Sequence, residues 1–386
     1  ARRVAARPAR RAQRPLEIGG IGVSDARSLG YAMAVQPAAA VPALRGGALV
    51  AWLRRGLGDA GLAVRVEELI RQRAADPGDE MQADAQLAAR AIALIDPLAP
   101  LCWQGTAFWP DGFGPLLAAC LGEEGEMTQK LGRIVGTEAI GGWAGLRAER
   151  CDAPALRLEA RQWRGLAQTR GAAGGLRRLT YQLNPMLGCA SARLAGRMVM
   201  RIGDLAAALE AAAANRPDRL LDADILAFLA AGSEHGLQGL VTGPLSEDGA
   251  EGLAAQFRLL ARLQERTHPA ALPALAAWFV ARAAPLLERW QNRAERAARA
   301  EKLAALAPGG MLAPMLALLD DGPALRADAM AAQAAGQRIA ALAAEIARIE
   351  GGGAARAQLA LRFGQEVAAG GAMLALAGSL LLAAFG

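Results

Sequence analysis

Histidine and lysine are almost missing from this chain of 386 residues, which has only His235, His268, Lys130 and Lys302. Neither histidine has a second ligand-type residue three to five positions away, so the spacing of a metal-binding helix or knuckle is absent. Neither lysine has a glycine-rich neighbourhood, and no G-x-x-x-x-G-K-[ST] phosphate loop occurs. The four cysteines, Cys102, Cys120, Cys151 and Cys189, lie too far apart for a zinc knuckle or a C-x-x-C redox pair. Scattered in this way they fit a reducing compartment and the role of small buried hydrophobes. Aromatic residues make up 4%, β-branched residues are sparse, and no alternating apolar run stands out. All three points argue against a β protein.

Motifs of catalysis are scarce as well. No G-x-S-x-G elbow is present, nor a cysteine–histidine arrangement with local support. Gly19–Gly22 (GGIG) lacks a convincing preceding strand and the third glycine of a dinucleotide loop, and reads as a turn. Pro110–Pro115 (PDGFGP) has the letters of a kinase D-F-G in the wrong order, with no H-R-D before it. Asp320-Asp321 adjoins Gly322-Pro323, where turn formation accounts for the pair, and Glu123, Glu124 and Glu126 read as a solvated acidic loop. The sequence therefore assigns no catalytic, cofactor-binding or metal-ligating residue, and implies no cofactor and no metal in this chain.

What the chain has in quantity is alanine, which dominates an apolar fraction of 53%. Alanine has the highest helix propensity and loses no side-chain entropy in a helix, so the fold class expected is all-α. Helix pairs joined by short loops, without a fixed repeat period, point to an irregular helical bundle or α-solenoid. The net charge of +6 is carried by arginine, with one dense cluster, ARRVAARPARRAQR, at residues 1–14. No clustered basic face with stacking aromatics appears, so nucleic acid is not an expected partner. Residues 1–15 read as a basic, proline-containing linker. Residue 1 is Ala and no signal peptide follows, which leads to the expectation that the chain begins inside a longer one or has been trimmed.

The expected organisation is an N-terminal helical domain over 16–175, a second over 176–310, a long amphipathic segment over 311–363 and a hydrophobic helix over 364–386. Residues 16–22 suit a short extended piece, and Ser24 offers an N-cap for a helix over 27–35. Further helices are expected over 44–56, 64–74, 81–95, 116–121, 127–135 and 155–168, with a turn at Asp76-Pro77-Gly78. Another bears Leu176, Leu179, Tyr181 and Leu183 and closes at Asn184-Pro185. Beyond it come helices over 203–214, 222–231 and 251–266, then a long one over 275–306 that Pro285 kinks or breaks.

One stretch departs from this pattern. Residues 96–115 (DPLAPLCWQGTAFWPDGFGP) hold four prolines, three glycines and the aromatics Trp103, Phe108, Trp109 and Phe113. Such a run disfavours a helix. Each aromatic buries roughly 150–250 Å², so an ordered loop packed onto the helices is expected. An alternative is a small-molecule enzyme that uses this loop as its pocket, with Trp103 and Trp109 needed for ligand binding.

The end of the chain is equally distinct. Ile339, Leu342, Ile346 and Ile349 form a narrow heptad-like seam, long enough for an antiparallel packed helix. Gly351–Gly353 then lead to an uncharged run, Val367 to Gly386. Spanning a bilayer core takes about 20 apolar residues, and this run supplies them. Arg356 and Arg362 precede it, which by the positive-inside rule keeps that side cytoplasmic. The expectation is a helix that anchors the chain on the cytoplasmic side of the bacterial inner membrane, with a buried C-terminal helix in a cytoplasmic protein as the alternative.

Four stretches carry a family resemblance. RRLTYQLNPMLGCAS (177–191) resembles the Y-x-L-N-P-x-L-P-C pattern found after the kinase domain of large bacterial, eukaryotic-like Ser/Thr protein kinase-like proteins. Residues 96–115, 259–299 and 362–370 also look like parts of that alanine- and leucine-rich C-terminal region, and together they would cover nearly the whole chain. Gly188 stands where the pattern has proline. The glycine-rich loop, strand lysine, H-R-D and D-F-G that phosphoryl transfer requires are missing. The resemblance therefore implies a non-catalytic regulatory or scaffolding region, with protein partners or its own upstream domain to contact. A stand-alone helical scaffold with no kinase attached is the alternative.

Overall fold

Gly19 and Gly20 have φ of 55° and 84°, the pair of left-handed residues that a two-residue type I′ hairpin demands. They join β1 (Arg11–Ile18) to β2 (Ile21–Asp25), which pair antiparallel with Ile18 opposite Ile21. The computed structural model describes residues 10–74, 80–123, 125–147, 151–171, 173–194, 196–232, 237–241, 249–267 and 269–385. Over its described part, residues 10–15, the expected linker is thus largely strand. Ladder pairing is irregular between Arg11 and Leu16, and Pro15, with no N–H to offer, sits in that irregular stretch. Residues 1–9 and the turn expected at 76–78 lie outside the described residues.

The fold is otherwise dominated by helices, as the alanine content requires. α1 (Ala26–Val35) is capped by Asp25 rather than Ser24: the carboxylate accepts from Ser28 N at 2.8 Å, and the Ser28 hydroxyl accepts in return from Asp25 N. The helix expected over 44–56 is two elements. α2 (Pro37–Arg45) starts on proline, whose missing N–H costs nothing there. α3 (Ala48–Ala51) runs into a π-turn, Trp52–Gly56, whose Trp52 indole donates to Arg14 O at 2.9 Å and ties the hairpin down.

α4 (Ala60–Ala74) is followed by α5 (Glu80–Ile95), which is buried on two faces. Leu87, Ala91, Ile92, Leu94 and Ile95 join a core built with the hairpin and α1–α4. Ala85, Ala89 and Ala93, each four residues from the next, form a thin face toward a second core. That second core contains β3 (Leu101–Trp103), β4 (Thr106–Phe108), α6 (Phe113–Ala119), α7 (Glu126–Gly136), α8 (Ala139–Gly145), α9 (Ala153–Gln168) and α10 (Gly175–Leu183). The expected loop over 96–115 is therefore a second hairpin followed by the start of a helix. Pro115 falls in the first turn of α6, where proline is tolerated.

α10 packs against α6 and α9, and also against α12 (Ala223–Ala231), so it is common to the segments before and after residue 175. α11 (Ile202–Ala213), α14 (Ala250–Thr267) and α15 (Pro273–Arg282) complete this region, with the short α13 (Gln238–Val241). Two polar devices fix it. Glu210 on α11 accepts from the N–H groups of Ala274 and Leu275 at 2.7 and 2.8 Å, capping α15. Gln264, 4% exposed, donates to Gly310 O at 2.7 Å and accepts from Leu312 N at 2.8 Å.

The described residues up to Arg282, with Leu306–Leu316, make one structural unit; Ala283–Ala305 and the residues from Ala317 onward make another. The helix expected over 275–306 is broken into α15, α16 (Ala284–Leu287) and α17 (Arg293–Leu306), with Pro285 in the first turn of α16. α18 (Leu312–Leu319) follows. Within the second unit the Arg299 guanidinium lies 3.5 Å from the centroid of the buried Trp290 ring and donates to Leu318 O. Asp328 accepts from the N–H groups of Gln291 and Asn292. Asp328 belongs to α19 (Gly322–Phe385), a single helix of 64 residues and about 96 Å. Asp321 caps it through Ala324 N, and Asp320 pairs with Arg289 at 3.2 Å, so the Asp320-Asp321 pair is used structurally.

Candidate functional site

The motif-bearing segment 177–191 is occupied with holding the fold. Asn184 donates from Nδ2 to Gly114 O and to Thr180 O, both at 2.8 Å, joining the end of α10 to α6. Gly114 suits the close approach at this crossing, since a Cβ there would stand 3.1 Å from both Leu183 Cβ and Leu183 O and would make a neighbour shift. The Tyr181 hydroxyl accepts from Ala190 N at 3.0 Å, and Ser191 donates to Asp222, the N-cap of α12, at 2.6 Å. Burial pushes the Tyr181 phenol well above its ordinary range and the Cys189 thiol up to about 11. Cys102 is pushed up to about 11 by burial too, against the opposing pull of Arg147. Both cysteines are thiols at neutral pH, the unreactive form.

Among the aromatics of residues 96–115, Trp103 (0% exposed), Phe108 and Phe113 are core residues. Trp109 is not: it is 48% exposed and lines a pocket of about 430 Å³, within the range of small-molecule sites. Cys102, Cys120, Cys189, Glu123, Glu126 and Trp103 do not line this pocket, whereas Trp109 and Cys151 do; Glu124 lies outside the described residues.

The pocket is assembled mainly by three segments. The stretch after β4 brings Trp109, Pro110 and Asp111; α8 brings Trp143, and Arg147 follows it; α9 brings Leu156, Glu159 and Trp163. Trp109 meets Trp143 edge to face at 5.8 Å, and Trp163 stacks on Phe113 at 5.8 Å between centroids. Arg147 is buried, with its guanidinium 4.4 Å from the Trp143 centroid. It donates to Pro97 O and, at 3.1 Å, to Asp96 O. Asp111 and Glu159 are exposed at the mouth, and among the described residues no hydrogen bond or ion pair engages either. The Trp143 N–H is buried without an acceptor. Sequence reading missed Trp143, Arg147, Glu159 and Trp163. The available signals were the i, i+4 spacing of Trp143 and Arg147 and the shared α9 face of Leu156, Glu159 and Trp163.

A separate feature is the end of α19. Arg356–Leu382, 27 residues, is long and apolar enough to cross a membrane, and none of its most apolar window is buried. Upstream, Ile339, Leu342 and Ile346 are exposed, so the seam expected to pack is uncovered among the described residues. No group of three or more metal-ligand side chains occurs among the described residues, and His235 and His268 lie outside them.

Compared with known proteins, the chain matches no family model, no curated protein and no solved structure. The class defined by the structure is a predominantly helical protein with one C-terminal helix apolar enough for a membrane.

Proposed function

We propose that this chain is a non-catalytic regulatory and scaffolding region of a bacterial Ser/Thr kinase-like protein, held on the cytoplasmic side of the inner membrane by the end of α19. The observation that carries the tether is the exposure of Arg356–Leu382: leucine, methionine and phenylalanine side chains stand in water along a helix that a bilayer would cover. Arg356 and Arg362 at its start fit the cytoplasmic side under the positive-inside rule. The exposed seam on the same helix supports a role in contacting protein partners. The kinase attribution rests on the resemblance of 177–191 and its companion stretches, and phosphoryl transfer would then belong to a domain outside this sequence.

The test is the intact mass of the native protein, measured separately in membrane and soluble fractions of its host. A mass well above 39.9 kDa in the membrane fraction supports the reading, and kinase assays on that species follow. A mass near 39.9 kDa removes the kinase attribution and leaves a stand-alone helical scaffold. Autophosphorylation or ATP hydrolysis by residues 1–386 alone would overturn the non-catalytic role.

A further inference from the structure

We propose that the pocket between α8, α9 and the Trp109 segment binds a small organic cation, a methylated ammonium of the choline type. Its wall is aromatic, from Trp109, Trp143 and Trp163, and its mouth carries the carboxylates of Asp111 and Glu159. An ammonium with methyl groups is attracted to indole faces by the ring quadrupole and sheds its hydration more readily than a metal ion. The Arg147 guanidinium takes the Trp143 face, 4.4 Å from its centroid, which leaves the Trp109 and Trp163 rings to meet the ligand. That guanidinium donates to the backbone carbonyls of Pro97 and Asp96, whereas Asp111 and Glu159 have no cationic partner among the described residues. An anionic ligand would meet two carboxylates at the entrance. A neutral ligand would gain the apolar wall but nothing from the quadrupoles or the mouth charges.

The experiment is isothermal titration of the full chain in detergent with choline, and in parallel with 3,3-dimethylbutan-1-ol, its neutral isostere. Choline is expected to saturate one site below about 10 mM and to bind about tenfold tighter than the alcohol. Trp109→Ala should weaken choline several-fold. The double variant D111N/E159Q should weaken it and flatten its salt dependence. All three substituted residues lie at the surface, so circular dichroism should be unchanged and loss of binding is separable from loss of fold. Equal affinity for choline and the alcohol, no saturable heat from choline up to that concentration, or a folded Trp109→Ala chain with unchanged affinity would each overturn the proposal.

Discussion

Leu376 stands at the midpoint of the uncharged run Val367–Phe385 and is 62% exposed, so a substitution there leaves the packed cores untouched. If α19 crosses a bilayer, Leu376→Arg places a guanidinium at the hydrocarbon centre. On insertion scales leucine is favourable by about 0.5 kcal/mol at that depth and arginine unfavourable by about 2.5–3.5 kcal/mol, a change of about 3 kcal/mol. Such a change reduces partitioning by roughly a hundredfold. The control is Leu359→Arg, three residues from both Arg356 and Arg362, where a long side chain reaches the interface at little cost. Flotation of the purified chain with liposomes reads the difference. The native chain and L359R should float, L376R should remain at the bottom, and all three should share one helical signal by circular dichroism. Equal flotation of L376R and the native chain, or equal loss in both variants, would refute the spanning geometry.

Three other outcomes follow from the packed body. Gln264→Leu keeps the volume but strands the Leu312 N–H in a dry site. It should cost about 1–3 kcal/mol and speed exchange of the Leu312 amide at least several-fold, whereas unchanged exchange would show that Gln264 does not hold that loop. Asn184→Asp turns a donor to two carbonyls into an acceptor facing them. Its melting temperature should fall below that of Asn184→Ala at neutral pH, the gap closing in acid as the new carboxyl protonates; the reverse order would refute this reading of the motif. Burial raises the Asp224 carboxyl above its ordinary value of 3.8, with Arg177 partly opposing. A raised folded pKa contributes stability in acid that is lost as pH rises through the folded value. The melting temperature of Asp224→Asn relative to the native chain should therefore climb as pH rises above about 4, and a flat difference would contradict the burial.

The helical class was legible because alanine and leucine at helical spacing leave the backbone little alternative. Glycine pairs were less transparent. Gly19-Gly20 is visible as a turn, yet whether Arg11–Ile18 is linker or strand depends on what covers Ala12 and Ile18. Residues 96–115 show the same limit. Proline marks irregularity, but only the neighbours decide that Trp103 enters the core while Trp109, six positions on, faces a pocket. The pocket's other walls come from α8 and α9, and no short-range pattern records that these segments meet there.

The sequence by itself determined the helical character, the shortage of lysine and histidine, and an uncharged apolar run long enough for a bilayer. These follow from composition and local spacing, which act through propensity and hydration one residue at a time. Tertiary structure alone decided that Asn184 and Tyr181 knit the fold, that the Ile339–Ile346 seam is exposed, and that two exposed carboxylates stand at a tryptophan-lined pocket. Those properties depend on which groups satisfy or desolvate one another across tens of residues, and contacts of that kind are set by packing.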